Sequence, residues 1–237
     1  RLAAGGLLRG ALAALAQRGG DYRDPDFHHD EGWTSLFNGK DFSGWLVVLA
    51  GEGRPARYLG DRISEQSTFF IKDGMIVTTG KPNGYVRTID VYDNYVFHVE
   101  VRFPEQGNSG VLIHAQNDAV WPKAIECQLY QSHMGRIFPI MGSTLDGGEM
   151  IHGAAKPQGE WNTYQVYSEE GRVATVLNGV LVGLASNANP KVGYICLQSE
   201  GAPAEFRNIK VRRYTPAHHL TARGKSLQNM LPLKCFE

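Results

Sequence analysis

Tyr95-Val96-Phe97-His98-Val99-Glu100-Val101-Arg102-Phe103 is the stretch on which the fold turns. Successive side chains of an extended strand point to opposite faces. Phe97, Val99, Val101 and Phe103 therefore share one face, and His98, Glu100 and Arg102 share the other. The same period of two recurs on both sides of it. Upstream, residues 67–71 lead through Lys72-Asp73-Gly74, a hairpin signal, into residues 75–79. Downstream, strands are predicted over 110–115, 124–130, 163–168, 172–177, 193–198 and 205–213. Turn signals fall between the runs at Gln106-Gly107-Asn108, Glu170-Gly171, Asn178-Gly179 and Glu200-Gly201. Many strands joined by tight turns, with no long helical period, predict an all-β antiparallel two-sheet β-sandwich or jelly roll. Residues 50–65 and 132–158 lack a steady period and read as long loops, where function tends to sit.

The bulk composition agrees with one globular domain. Of 237 residues, 42% are apolar, enough for a core. The formal charge of +0 supplies no global field for nucleic acid or an anionic membrane, so neither is expected as a partner. No segment reaches the ~20 apolar residues of a membrane span. Cys127, Cys196 and Cys235 have no metal-site spacing, and Cys127 and Cys196 lie on the apolar phase of strands, as small buried hydrophobes. Residues 1–31 read as an N-terminal segment and linker, 32–214 as the folded domain, and 215–237 as a C-terminal tail. Residues 1–17 carry Ala14-Leu15-Ala16, a small-x-small pattern that leaves a remnant export signal open and points to an extracytoplasmic, periplasmic or secreted location.

Five motifs set polar groups into or beside these strands: Trp33-Thr34-Ser35-Leu36-Phe37-Asn38-Gly39-Lys40-Asp41, Ile125-Glu126-Cys127-Gln128, Glu160-Trp161-Asn162, Leu177-Asn178-Gly179 and Glu205-Phe206-Arg207-Asn208-Ile209. In the second, Glu126 and Gln128 share one face while Ile125, Cys127 and Leu129 share the other. Polar groups aligned on one face of a sheet suggest a carbohydrate groove on a rigid floor.

Together with Gly44-Trp45, Asp73-Gly74-Met75-Ile76 and Gly107-Asn108-Ser109-Gly110, these motifs stand in an order that resembles the 3-keto-disaccharide hydrolase family, from about Gly32 to Tyr214. The resemblance implies a concanavalin A-like jelly roll. It also implies cleavage of glycosides already oxidised to a ketone at C3, beside a separate sugar oxidoreductase that makes the ketone. The alternative is a non-catalytic carbohydrate-binding module of the same fold.

A C3 ketone acidifies the C2 proton, so cleavage can run by proton abstraction and β-elimination. That chemistry needs a base, a donor for the enolate oxygen and an acid for the leaving oxygen, not two carboxylates straddling the bond. Glu126 is the first candidate for the base or a metal ligand; the alternative is a structural pair with a facing arginine. His114, on the strand of Leu112, and His152, in a Gly-rich loop, are candidate proton-transfer groups. Gln128 is a candidate for binding sugar hydroxyls. Arg207 would anchor the enolate or vicinal hydroxyls, or else pair with Glu205 or Glu100. Lys81 and Arg87, placed on a loop after a strand, either overhang the groove or are solvated charges. Trp121 is the candidate stacking platform, whereas Trp33 and Trp161 read as core. Asn108 reads as a turn-holder at the site. No cofactor is implied, and a divalent ion shared by Glu126, His114 and His152 stays open.

Overall fold

The alternating stretch at 95–102 becomes an interior strand of one sheet, and its apolar face lies in the core, with Phe97, Val99 and Val101 at 0% exposure. The structure, a computed structural model, describes residues 32–51, 57–58 and 67–213. The sequence readings for residues 1–31 and 214–237 and for most of 50–65 lie outside the described residues.

Sixteen strands are described. They are β1 (Thr34–Ser35), β2 (Trp45–Leu49), β3 (Arg57–Tyr58), β4 (Phe69–Lys72), β5 (Met75–Thr78), β6 (Gly84–Thr88), β7 (Tyr95–Arg102) and β8 (Gly110–Ala115). They continue with β9 (Ala124–Gln128), β10 (Ile137–Ile140), β11 (Thr144–Met150), β12 (Asn162–Glu169), β13 (Arg172–Leu177), β14 (Val180–Asn189), β15 (Tyr194–Ser199) and β16 (Ala204–Arg213). One sheet runs β11-β14-β13-β12-β7-β16-β5-β4, with β1 added on β16; the other runs β10-β9-β8-β15-β6-β2-β3. All named pairs are antiparallel. The expected two-sheet antiparallel sandwich is the fold. The Asp73-Gly74 turn, with φ of 50° and 74°, closes the β4–β5 hairpin as a left-handed turn requires.

The core lies between the sheets. Phe97, Val99 and Val101 of β7 and Tyr164 and Val166 of β12 belong to one buried cluster with Val111, Ile113, Ile125, Cys127, Ile195 and Leu197 of the second sheet. Each large apolar side chain buried there contributes about 1.5–3 kcal/mol. A second, smaller cluster sits on the far face of the second sheet: Val48, Tyr85, Leu112, Ala115, Ala124 and Cys196, with Val120, Ile140 and Tyr194 laid against it. That sheet is thus buried on both faces, and its outer face is where polar groups become conspicuous.

Three expectations are corrected. Residues 132–158 are not a continuous loop, because β10 and β11 lie within them. Both are sheet-end strands, and β11 pairs with β14 through two register shifts, which erases the period of two. Pro139 fits β10 because an edge strand has one unpaired side. Arg87 lies within β6 rather than on a loop. Trp33 and Trp161 are half-buried on the outer face of the first sheet, not in the core: Trp33 meets His98 edge-on, and the Arg207 guanidinium lies 3.9 Å over the Trp161 ring.

Candidate functional site

Strand register decides which way Glu126 looks. Ile125 and Cys127 point into the inter-sheet core, so Glu126 and Gln128 point to the outer face of the second sheet. Across that face Glu126 pairs in register with Leu112 of β8 on one side and Phe138 of β10 on the other. Glu126 is 4% exposed, and among the described residues no hydrogen bond or ion pair holds its carboxyl. Desolvation first, and the nearby Glu200 carboxylate second, push its pKa up to about 8. At neutral pH this acid holds its proton.

Gly110 makes the room beside it. A β-carbon built on Gly110 would lie 2.9 Å from Glu126 Oε1 and 3.0 Å from Gln198 Oε1. The two side chains therefore lean over one gap that any other residue at 110 would fill. Gln198, on β15 with 2% exposure, has neither its oxygen nor its nitrogen hydrogen-bonded. Next to it, Asn108 donates from Nδ2 to Glu200 Oε2 at 2.7 Å, and its own Oδ1 is buried without a partner. Burial also raises the Glu200 carboxyl. Gln128 is half-buried, and its Oε1 accepts the backbone N–H groups of Leu129 and Tyr130, both at 3.0 Å.

A loop over residues 116–123 covers the neighbouring part of this face. Arg87 is 6% exposed and grips Asp118, Nε to Oδ1 at 2.7 Å and an outer guanidinium nitrogen to Oδ2 at 3.3 Å. The Tyr85 hydroxyl lies 2.8 Å from the Ala119 carbonyl and 3.2 Å from that of Asn117. The loop so fastened carries Trp121, 38% exposed. Lys81 is exposed in a turn whose Gly80 carbonyl accepts the Gly201 N–H at 2.7 Å, so it borders the Glu200-Gly201 turn.

Two sequence candidates are brought elsewhere. His114 does not share the groove of Leu112. Its φ of 55° breaks the alternation and turns the ring inward, where Nδ1 meets the Pro190 carbonyl and Nε2 the Ser168 hydroxyl, each at 3.0 Å. Burial lowers its pKa to about 4, a neutral structural imidazole. Arg207 lies on the first sheet, where its Nε donates to Glu100 Oε2 at 2.7 Å. It also lines a separate cavity of about 360 Å³ with Phe37, Asn38, Asp73, Met75 and Asn208. His152 is exposed, its Nδ1 3.2 Å from the Ser132 carbonyl and its ring edge-on to His133. His114, Glu126 and His152 do not converge, and among the described residues no group of three or more His, Cys, Asp or Glu could hold a metal ion.

Sequence reading missed Gln198, Glu200 and Gly110. Gln198 stands at the end of a run read only as a strand, and Glu200 inside a pair read only as a turn. The alternation places Gln198 opposite in phase to Ile195 and Leu197, a signal of the same kind that marked Glu126.

Comparison with known proteins gives the fold and the family. Residues 32–212 match the model of the 3-keto-alpha-glucoside-1,2-lyase-like domain. Two solved structures of a "putative glycosyl hydrolase" from Parabacteroides distasonis are similar to the chain. The first is 24% identical with a TM-score of 0.60, covering 78% of this chain and 95% of that one. The second is 19% identical with a TM-score of 0.57, covering 77% and 99%. The carbohydrate-binding module CBM66 from Bacillus subtilis is similar at 12% identity and a TM-score of 0.52, covering 71% and 95%. No curated protein matches the chain. Among the described residues no helix is long and apolar enough to cross a membrane.

Proposed function

The chain belongs to the 3-keto-alpha-glucoside-1,2-lyase-like family, and from that premise we propose that it cleaves glycosides whose sugar ring carries a ketone at C3, on the outer face of the second sheet. The observation that carries this reading is Glu126: a buried acid with no cationic partner among the described residues, on the outer face of its sheet beside unsatisfied amides. A purely structural carboxylate would be paired, because burying an unpaired one is costly.

The chemistry follows from its raised pKa. Once ionised, a carboxylate of pKa about 8 is a far stronger base than an ordinary one. It takes the C2 proton, and the C2–H electron pair becomes an enolate on the C3 oxygen. Collapse of the enolate forms the C1–C2 double bond and expels the aglycone oxygen, which leaves with a proton. Addition of water across C1 and C2 then returns the 3-keto sugar with a hydroxyl at C1. In this reading Gln128 and Asn108 bind ring hydroxyls, Trp121 stacks on a sugar face, and Lys81 and His152 are the candidates for leaving-group contacts. An oxidation at C3 by a separate oxidoreductase must supply such a substrate, and the reading carries an extracytoplasmic site of action.

The test is release of the aglycone from a nitrophenyl 3-keto-glucoside. Release by the natural chain and its loss in Glu126→Gln, with the fold intact by circular dichroism, is the expected result. Binding of the sugar without release by the natural chain would make the protein a carbohydrate-binding module instead.

A further inference from the structure

We propose that Gln198 is the hydrogen-bond donor to the C3 oxygen, the group that carries the enolate charge; this rests on the 3-keto reading of the same site. Three observations lead to it. Gln198 is 2% exposed, and both ends of its carboxamide lack partners. A buried amide left so costs about 1–3 kcal/mol for each unmet group, and folds retain few of them. Gln198 and Glu126 also flank a single gap, each with an oxygen within 3.0 Å of the point where a side chain at Gly110 would begin. The carbon that loses its proton and the carbon that carries the ketone are adjacent in the ring, so the base and the oxygen's donor must stand side by side.

The third observation is elimination among neighbours. An enolate oxygen needs N–H or O–H donors. Asn108 is tied through Nδ2 to Glu200, which fixes its amide on the side of that carboxyl. Arg87 is committed to Asp118 and to the Thr88 carbonyl. Arg207 is on the other sheet, paired with Glu100. The backbone N–H groups of β8 and β9 belong to the ladder. Gln128, opposite Gly110 in register, is only half-buried, and its amide is held through Oε1 to its own strand end. Gln198 is buried and keeps both amide hydrogens unused, on the carboxamide whose Oε1 stands at the gap beside the base. A ketone or enolate oxygen accepts one of Gln198's unused hydrogens and has no hydrogen of its own to place, whereas a C3 hydroxyl must place one. Gln198 thereby selects oxidised over unoxidised sugar.

Gln198→Leu tests this, since leucine removes both polar ends at similar size and leaves no buried amide. Three readings are taken on the natural chain and the variant: steady-state release from a nitrophenyl 3-keto-glucoside, exchange of the C2 proton in deuterated water, and calorimetric affinity for 3-keto-glucose against glucose. The variant is expected to lose about 100- to 1,000-fold in kcat, the range for one oxyanion donor. C2 exchange should fall in parallel, the preference for 3-keto-glucose should disappear, and the melting temperature should not fall. Full turnover and unchanged ketone preference in Gln198→Leu, with an active natural chain, would overturn this inference alone. A natural chain that neither exchanges nor cleaves would overturn the parent reading and this one with it. If Gln198→Leu proves poorly folded, Gln198→Met replaces it under the same readings.

Discussion

Arg87 and Asp118, 31 positions apart in the chain, meet through two nitrogen–oxygen contacts at 2.7 Å and 3.3 Å, and that pair fastens the 116–123 loop to the outer face of the second sheet. The Arg87 guanidinium also lies 3.8 Å over the Tyr194 ring, so it is held from two sides. Asp118 is the more accessible partner, at 29% side-chain exposure against 8%. Asp118→Ala strands a buried cation, and about 2–3 kcal/mol of stability should be lost, at the low end for a buried pair because Asp118 is partly wet. Urea denaturation of Asp118→Ala, Arg87→Met and the double variant checks this. The double variant should be more stable than Asp118→Ala alone. Strict additivity of the two losses would show that the pair does not couple.

The loop's hold on Trp121 has a kinetic counterpart. If Trp121 stacks on the sugar, both Trp121→Ala and Asp118→Ala should raise KM, by about 5- to 30-fold, with kcat changed less. A fall in kcat at constant KM would remove the loop from substrate binding.

The pH–rate profile follows from Glu126. As a base it acts ionised, so kcat/KM should rise about tenfold per pH unit below about 8 and level off above it. Burial is the larger cause of the shift and the Glu200 carboxylate the smaller. Glu200→Gln should therefore move the inflection to lower pH while leaving the plateau nearly unchanged. A plateau that falls with rising pH would make the protonated form of Glu126 the working one, an acid for the leaving oxygen.

Stability should show a maximum near pH 6.5, set by opposed groups. His98 and His114 are buried neutral, with pKa values lowered by burial to about 3 and about 4. Below their usual value of 6.5 the unfolded chain binds more protons, so stability falls as the pH drops toward 4. Glu126 works the other way. Its folded pKa of about 8 exceeds the usual 4.5, so its contribution is whole below 4.5 and is lost as the pH rises toward 8. Between 4.5 and 6.5 the two histidines oppose Glu126 and the half-buried Glu200, which burial also raises, and the histidines prevail. Above 6.5 Glu126 acts without them. Melting temperatures from pH 5 to 9 check the shape, and Glu126→Gln should flatten the alkaline limb and steepen the acid one.

What the sequence made legible follows one rule, the period of two. It placed Phe97, Val99 and Val101 in the core and Glu126 on the face away from it, because β7 and β9 are regular strands paired on both sides. The rule fails where the backbone departs from ideal extension. His114 has a left-handed φ that turns it off its expected face. At β11 the register shifts hide a strand inside a Gly-rich run. Arg207 was ambiguous for a different reason. Its pairing with Glu100 depends on which strand neighbours β16, and strand order is a long-range property that local alternation does not encode. Gln198 obeyed the rule, but its meaning depends on Gly110 and Glu126 lying beside it across two other strands.

Gly110 offers the sharpest single probe of where the chemistry takes place. It needs no special backbone conformation, since its φ is outside the left-handed range, so alanine is tolerated by the chain itself. A methyl group there would fall within 3.0 Å of Glu126 Oε1 and Gln198 Oε1. Both are the ends of flexible side chains and can swing aside, so the fold should survive with a stability change of about 1 kcal/mol or less. The two groups so displaced are the base and the donor. Gly110→Ala should therefore keep its melting temperature while kcat/KM falls about 100-fold, the cost of misplacing reacting groups by about 1 Å. Natural-like turnover in a folded Gly110→Ala would move the reaction off the outer face of the second sheet altogether. Loss of activity there, combined with full activity in Arg207→Ala on the opposite sheet, would confine it to the gap between Glu126 and Gln198.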